Sequence, residues 1–183
     1  MSRFEAIDAV GDAELTQIYQ DIVTNGFGIG GKPINFFTAM ALRPDILNVV
    51  WQFTKAIIVE GLLPASVKQM IALSISRQNN CQYCSVMHSG ALEAKGVEAM
   101  VVESCANDPD TINLSEPNRS IVQFALKSAR APHHVNDDDH RNLAELRLSD
   151  YEIAEALAIA CLTNFIYTWA DISGIHSDSS NLF

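Results

Sequence analysis

Apolar positions recur along most of this chain at helical spacing. Leu15, Ile18, Tyr19 and Ile22 follow Asp12, a residue suited to cap a helix, and the run closes near Asn25-Gly26. The stretch RPDILNVVWQFTKAIIVEG opens with Pro44 in a first-turn position and ends at Gly61, with Ile46, Val49, Val50, Phe53 and Ile57 to one side. LPASVKQMIALSISRQ opens on Pro64 and carries Val67, Met70, Ile71 and Ile75. Asn79-Asn80 break that pattern, and either can cap the next helix, expected from about Cys81 to Lys95 before Gly96. Shorter helices are expected over 97–105, 116–129 and 137–146. The last pattern, SDYEIAEALAIACLTNFIYTWADISG, is capped by Ser149 or Asp150 and stops at Gly174. Its middle is apolar on nearly all sides, as in a helix buried within a bundle or an oligomer. No segment gives a convincing period-two alternation, so the expected fold class is all-α. Leu63-Pro64 and Leu148-Ser149, each followed by an apolar helix, form a short echo that suggests two similar helical halves.

Composition narrows the picture. A chain of 183 residues, 48% hydrophobic and 19% charged, reads as one globular domain over 1–183 with a core of its own. The net charge of −10, from 12 basic and 22 acidic residues with no Lys/Arg cluster, argues against nucleic acid as a partner. MSRFEAIDAVGDAEL lacks the apolar core of a signal peptide, and the most apolar stretch, 156–170, is short for a bilayer and contains Thr163, Asn164 and Thr168. A cytoplasmic protein without a membrane span is expected. Thiols stay reduced there, so the four cysteines argue for metal, catalysis or packing before structural disulfides.

Several motifs have plain readings. In NGFGIGGKPIN, Gly26, Gly28 and Gly31 are spaced as in a dinucleotide fingerprint, and Gly26 to Lys32 as in a phosphate loop. A helix precedes them instead of a strand, and Pro33 stands where a magnesium-binding hydroxyl belongs, so a glycine turn is expected. HHVNDDDH gathers His133, His134, Asp137, Asp138, Asp139 and His140, but acidic residues at a helix start complement the helix dipole. Cys105 and Cys161 sit in apolar helical patterns and read as buried, inert thiols; His176 has no recognisable partner.

NNCQYCSVMH is different. On one helix, Cys84 follows Cys81 by three residues and His88 by seven, so all three share a face. Cys84 and His88 are an i, i+4 pair, and Cys81 falls where unpaired N–H groups and the helix dipole favour a thiolate. A thiol–disulfide or peroxide-reducing centre needs a thiolate, a base for its proton and a second sulfur. Structural zinc wants a fourth ligand, usually from a second spaced pair, and none is present, so no metal and no other cofactor is expected. A thioredoxin-like pair expects a preceding strand, which is also missing.

LLPASVKQMIALSISRQNNCQYCSVMHSGALEAKG resembles the signature region of the carboxymuconolactone decarboxylase superfamily, especially its alkyl hydroperoxidase D-like, peroxidase-related branch. PINFFTAMALRPDIL and LSDYEIAEALAIACLTNFIYTWADISGI are similar to the same branch. The resemblance implies a single alkyl hydroperoxidase D-like helical domain that assembles as a homo-oligomer, whether trimer, hexamer or dimer. It implies reduction of a hydroperoxide, or of a peroxiredoxin partner, with electrons from a lipoyl protein or another dithiol. Carried over by position, Cys84 would be the attacking thiol, Cys81 its disulfide partner and His88 the proton-relay base. Two positions depart from the pattern. Hydroperoxidase members have a glutamate twelve residues before the first cysteine, where this chain has Gln69, and some have a histidine before the second cysteine, where this chain has Tyr83. An amide orients an imidazole but takes no proton from it, which implies slower peroxidase turnover or a reductant-specific redox role. Glu60 is a candidate replacement for the missing acid. The alternatives are a decarboxylase-type lyase, which has no need of a dithiol, and a family member with weakened catalysis and an interaction role.

Overall fold

The computed structural model describes residues 2–178, apart from the side chain of Ala106. Its elements, in order, are α1 (Ala13–Thr24), β1 (Gly28–Ile29), β2 (Lys32–Pro33), α2 (Asn35–Met40) and α3 (Pro44–Thr54). After a π-helical turn, Lys55–Val59, come α4 (Ala65–Gln78), α5 (Gln82–Ala94), α6 (Ala99–Asn107), α7 (Glu116–Arg130), α8 (Asp137–Glu145) and α9 (Asp150–Ser173). The fold is all-α. Against the expectation of no strand, β1 and β2 pair antiparallel, Gly28 with Pro33 and Ile29 with Lys32. Gly30 and Gly31, at φ 58° and 78°, make the tight turn between them, so the glycine-rich stretch is a minimal hairpin. The described residues form two compact units, 2–60 together with 169–178, and Gly61–Thr168.

In the first unit, α1 is capped by Asp12, whose carboxylate accepts from Leu15 N at 2.9 Å. Phe27, Phe37 and Trp51 meet edge to face, with ring centroids 5.6–6.0 Å apart. Trp51 Nε1 donates to Asp21 at 2.7 Å and Lys55 Nζ donates to the same carboxylate at 2.9 Å. These two donors hold the Asp21 carboxyl below its ordinary range. His176, for which no partner is expected, accepts from Ser2 N through Nε2 at 3.1 Å.

In the second unit, α4 is the central element and packs against α5, α6 and α7. Nearly all of its length is buried, from Val67 to Ser76 without a break. This includes Lys68, whose ammonium pairs with Glu155 of α9 at 3.0 Å, the side chains being 2% and 7% exposed. Glu155 also accepts from the backbone N–H groups of Leu62 and Leu63. Gly61 passes so close that a Cβ there would meet the Glu155 carboxylate at 2.2 Å. The pair thereby ties the start of α4 to α9.

The polar cluster ahead of α8 is a cap. Asn136 accepts from Asp138 N and Asp139 N, and Asp139 accepts from Asn136 N and from Lys127 Nζ. Ser149 and Glu152 form the equivalent reciprocal pair at the start of α9. At 24 residues, α9 as a whole is long and apolar enough to cross a bilayer by length and composition. It nevertheless carries Glu155 in its buried ion pair, as a core helix does. Cys161 is a second correction: it is exposed, whereas Cys105 is fully buried. An almost wholly apolar helix gives no signal of which face turns inward.

Candidate functional site

The site is built where α4 hands over to α5. Asn79 ends α4, and Asn80 adopts φ 56°, in the left-handed region that asparagine tolerates better than most residues. Neither asparagine caps α5. The N-cap is Cys81 itself, extended at φ −77° and ψ 100°, with its Sγ accepting from Cys84 N at 3.3 Å. Its own N–H is held by the Ser76 carbonyl at 2.9 Å. Asn79 supports the handover from outside: its Nδ2 donates to Asn164 Oδ1 at 3.0 Å, and Asn164 Nδ2 donates to the Ala129 carbonyl at 3.1 Å.

Cys81 and Cys84 are both reduced thiols outside any disulfide, both 2% exposed, with sulfurs 2.7 Å apart. A disulfide needs about 2.05 Å, so side-chain adjustment without backbone rearrangement is enough to close one. The contact with Cys81, followed by burial, holds the Cys84 thiol well above the ordinary thiol range. The Ser76 hydroxyl lies within hydrogen-bond reach of the Cys84 sulfur and donates to the Ala72 carbonyl at 2.7 Å. A serine in a helix interior carries no signal of its own, so Ser76 does not stand out in the sequence.

His88 stands one turn beyond Cys84 on α5, half-buried. Its Nδ1 is 2.7 Å from Oε1 of Gln69 on α4. With the amide oxygen as acceptor, Nδ1 carries the proton and Nε2 keeps the lone pair. Gln69 supplies no charge to favour imidazolium, and burial pushes the His88 pKa down to about 4. The ring is neutral at physiological pH: an oriented acceptor, but a weak base.

Of the other expected residues, Tyr83 is half-buried in the first turn of α5, and Glu60 is exposed at the end of the π-helical turn in the first unit. The side chain on His88 Nδ1 is Gln69, and not an acid. Among the described residues, no group of three or more His, Cys, Asp or Glu side chains gathers to hold a metal ion. A cavity of about 710 Å³ in the first unit is lined by Ile7, Thr16, Tyr19, Gln20 and Lys32 among others, and by none of the candidate residues.

Residues 44–106, which include α4, α5 and both cysteines, match the model of the carboxymuconolactone decarboxylase family. Over those residues the chain is similar to that family. Its fold is that of the alkyl hydroperoxidase D-like members. It is similar to the alkylhydroperoxidase AhpD core of an uncharacterized peroxidase-related protein from Ralstonia eutropha JMP134, at 24% identity over 100% of this chain and 94% of that one, with a TM-score of 0.87. A peroxidase-related protein from Silicibacter sp. TM1040 is 22% identical over 96% and 91%, with a TM-score of 0.82. The debrominase Bmp8, in complex with 2,3,4-tribromopyrrole, is 19% identical over 97% and 91%, with a TM-score of 0.79. At these identities the likeness is one of fold. No curated protein sequence matches the chain.

Proposed function

We propose that this protein is a thiol-dependent oxidoreductase of the carboxymuconolactone decarboxylase superfamily that cycles Cys81 and Cys84 between dithiol and disulfide, with an organic hydroperoxide as oxidant. The observation that carries this reading is the pair of reduced sulfurs 2.7 Å apart at the start of α5, with an oriented imidazole one turn on. A two-electron cycle consumes one hydroperoxide, releases the alcohol and water, and leaves a disulfide for an external dithiol or lipoyl protein to reduce, directly or through a peroxiredoxin. His88 Nε2 serves as the proton acceptor, oriented through Nδ1 by Gln69. Because that ring is a weak base, turnover is slow at neutral pH and rises towards alkaline pH as the thiols ionise. Assembly as a homo-oligomer is part of the same proposal. It is supported by apolar side chains left exposed on α3 and α9, including Val49, Phe53, Tyr151 and Phe165.

A second reading follows from the likeness in fold to a debrominase. A dithiol can also supply the two electrons that convert an aryl bromide to the arene and bromide ion, closing the same disulfide. One experiment covers both. The reduced protein receives one equivalent of cumene hydroperoxide or of a brominated pyrrole, and its free thiols are alkylated and mapped by peptide mass spectrometry. Loss of the Cys81 and Cys84 thiols together, in one arm, is the expected result and names the oxidant. Persistence of both thiols in both arms would end the redox reading.

A further inference from the structure

The geometry points to Cys81 as the thiol that reacts first and Cys84 as the resolving thiol, the reverse of the order that the family resemblance implies. This rests on the redox reading above and concerns which sulfur of the pair carries the charge.

The two sulfurs compete for one proton across 2.7 Å, so the fixed donors around them decide where it stays. Cys81 occupies the N-cap of α5, and its Sγ takes the Cys84 N–H, one of the donors that a helix start leaves without a partner in the helix. A backbone N–H can only donate, so this contact stabilises a negative sulfur and gives nothing to a protonated one. The positive end of α5 acts in the same direction, and it is strongest at the cap.

Cys84 has the opposite surroundings. It lies three residues further on, with its own N–H turned to Cys81 Sγ, and is as deeply buried as Cys81. Its polar neighbour besides Cys81 is Ser76, itself fully buried. A hydroxyl has one proton, and Ser76 Oγ donates it to the Ala72 carbonyl at 2.7 Å. With that proton on the Ala72 carbonyl, Ser76 gives a Cys84 thiolate no committed donor, in contrast to the backbone N–H held by Cys81. The shared proton rests on Cys84.

The steps balance on that assignment. Cys81 thiolate attacks the distal oxygen of the hydroperoxide, the O–O bond breaks, and the departing alkoxide takes a proton from solvent, leaving the alcohol and a sulfenic acid on Cys81. Cys84 then attacks that sulfur, the S–O bond breaks, and the Cys84 proton leaves with the hydroxyl group as water. An external dithiol restores both thiols.

The test uses Cys84→Ser, which keeps Cys81, and Cys81→Ser, which keeps Cys84 and leaves a serine able to cap α5. Each reduced protein receives one equivalent of cumene hydroperoxide with dimedone present, and adducts are mapped to single cysteines. Dimedone labelling of Cys81 in Cys84→Ser should be at least about tenfold faster than labelling of Cys84 in Cys81→Ser, as expected for a thiolate-dependent rate. Iodoacetamide alkylation of Cys81 should reach its midpoint at the lower pH. Reduced wild-type protein labelled with substoichiometric iodoacetamide gives a check independent of either variant's folding: Cys81 is modified first. Faster labelling of Cys84 in either format would overturn the assignment while leaving the redox reading intact. No sulfenic acid or disulfide at either position, in the variants or the wild type, would overturn both.

Discussion

Lys68 and Gln69 are neighbours on α4, both buried, and each reaches a partner on another helix. Lys68 meets Glu155 as a full ion pair, whereas Gln69 meets His88 as a neutral hydrogen bond. The contrast separates two uses of a buried polar side chain. A charged pair is held in place by the cost of uncovering either member, because the survivor is left desolvated without a counter-charge. A neutral pair has no such penalty to enforce it, and instead sets the tautomer of a ring. The charged pair fastens the helix, and the neutral pair tunes a base.

The largest effect should come from breaking the charged pair. Lys68→Met leaves Glu155 buried and unpaired and should cost about 3–5 kcal/mol in urea denaturation, whereas Gln69→Leu, which strands only an imidazole N–H, should cost about 1–3 kcal/mol. Equal losses would erase the distinction between the two pairs.

The neutral pair has its own pH signature. The folded His88 pKa of about 4 lies below the ordinary 6.5, so between those values the unfolded chain holds a proton that the folded one does not. Stability should therefore fall as pH drops from 6.5 to 4 and level off below, by about 3 kcal/mol from this residue. His88→Gln should flatten that part of the stability–pH curve, and an unchanged slope would show that His88 is not the group responsible.

Gln69→Glu sharpens the comparison by making the second pair resemble the first. A carboxylate beside Nδ1 favours imidazolium, so an NMR titration should find the His88 pKa raised by about 1–3 units. A ring still titrating near 4 would mean that burial alone governs it. Peroxide turnover near neutral pH should rise in the same variant, since the relay then includes an acid.

What was legible in the sequence was local. Asp12, Pro44 and Ser149 mark helix starts because capping involves residues three or four apart, and the shared face of Cys81, Cys84 and His88 follows from helical spacing alone. The Lys68–Glu155 pair joins positions on α4 and α9 that only tertiary packing brings together, and nothing near either residue announces the other. Gln69 was singled out by resemblance, yet its hold on Nδ1 depends on how α4 lies against α5. Asparagine is the usual capping residue and points to Asn79 or Asn80 as the cap of α5, one or two residues early, whereas here a cysteine does that work. The exposure of Cys161 was hidden for the opposite reason, an excess of apolar neighbours.

Asn80, at φ 56°, has a consequence for how this protein can vary. A library randomised at that one position and selected for folding should return mostly glycine, asparagine and aspartate, with valine, isoleucine and threonine purged, because side chains branched at Cβ do not accept the left-handed region. The freedom of the two cysteines to meet is thus written partly outside the C-x-x-C motif, in the backbone of a residue that has no redox chemistry of its own. Grafting the motif onto another helix without that residue would transfer the sulfurs and lose the handover that makes one of them a cap.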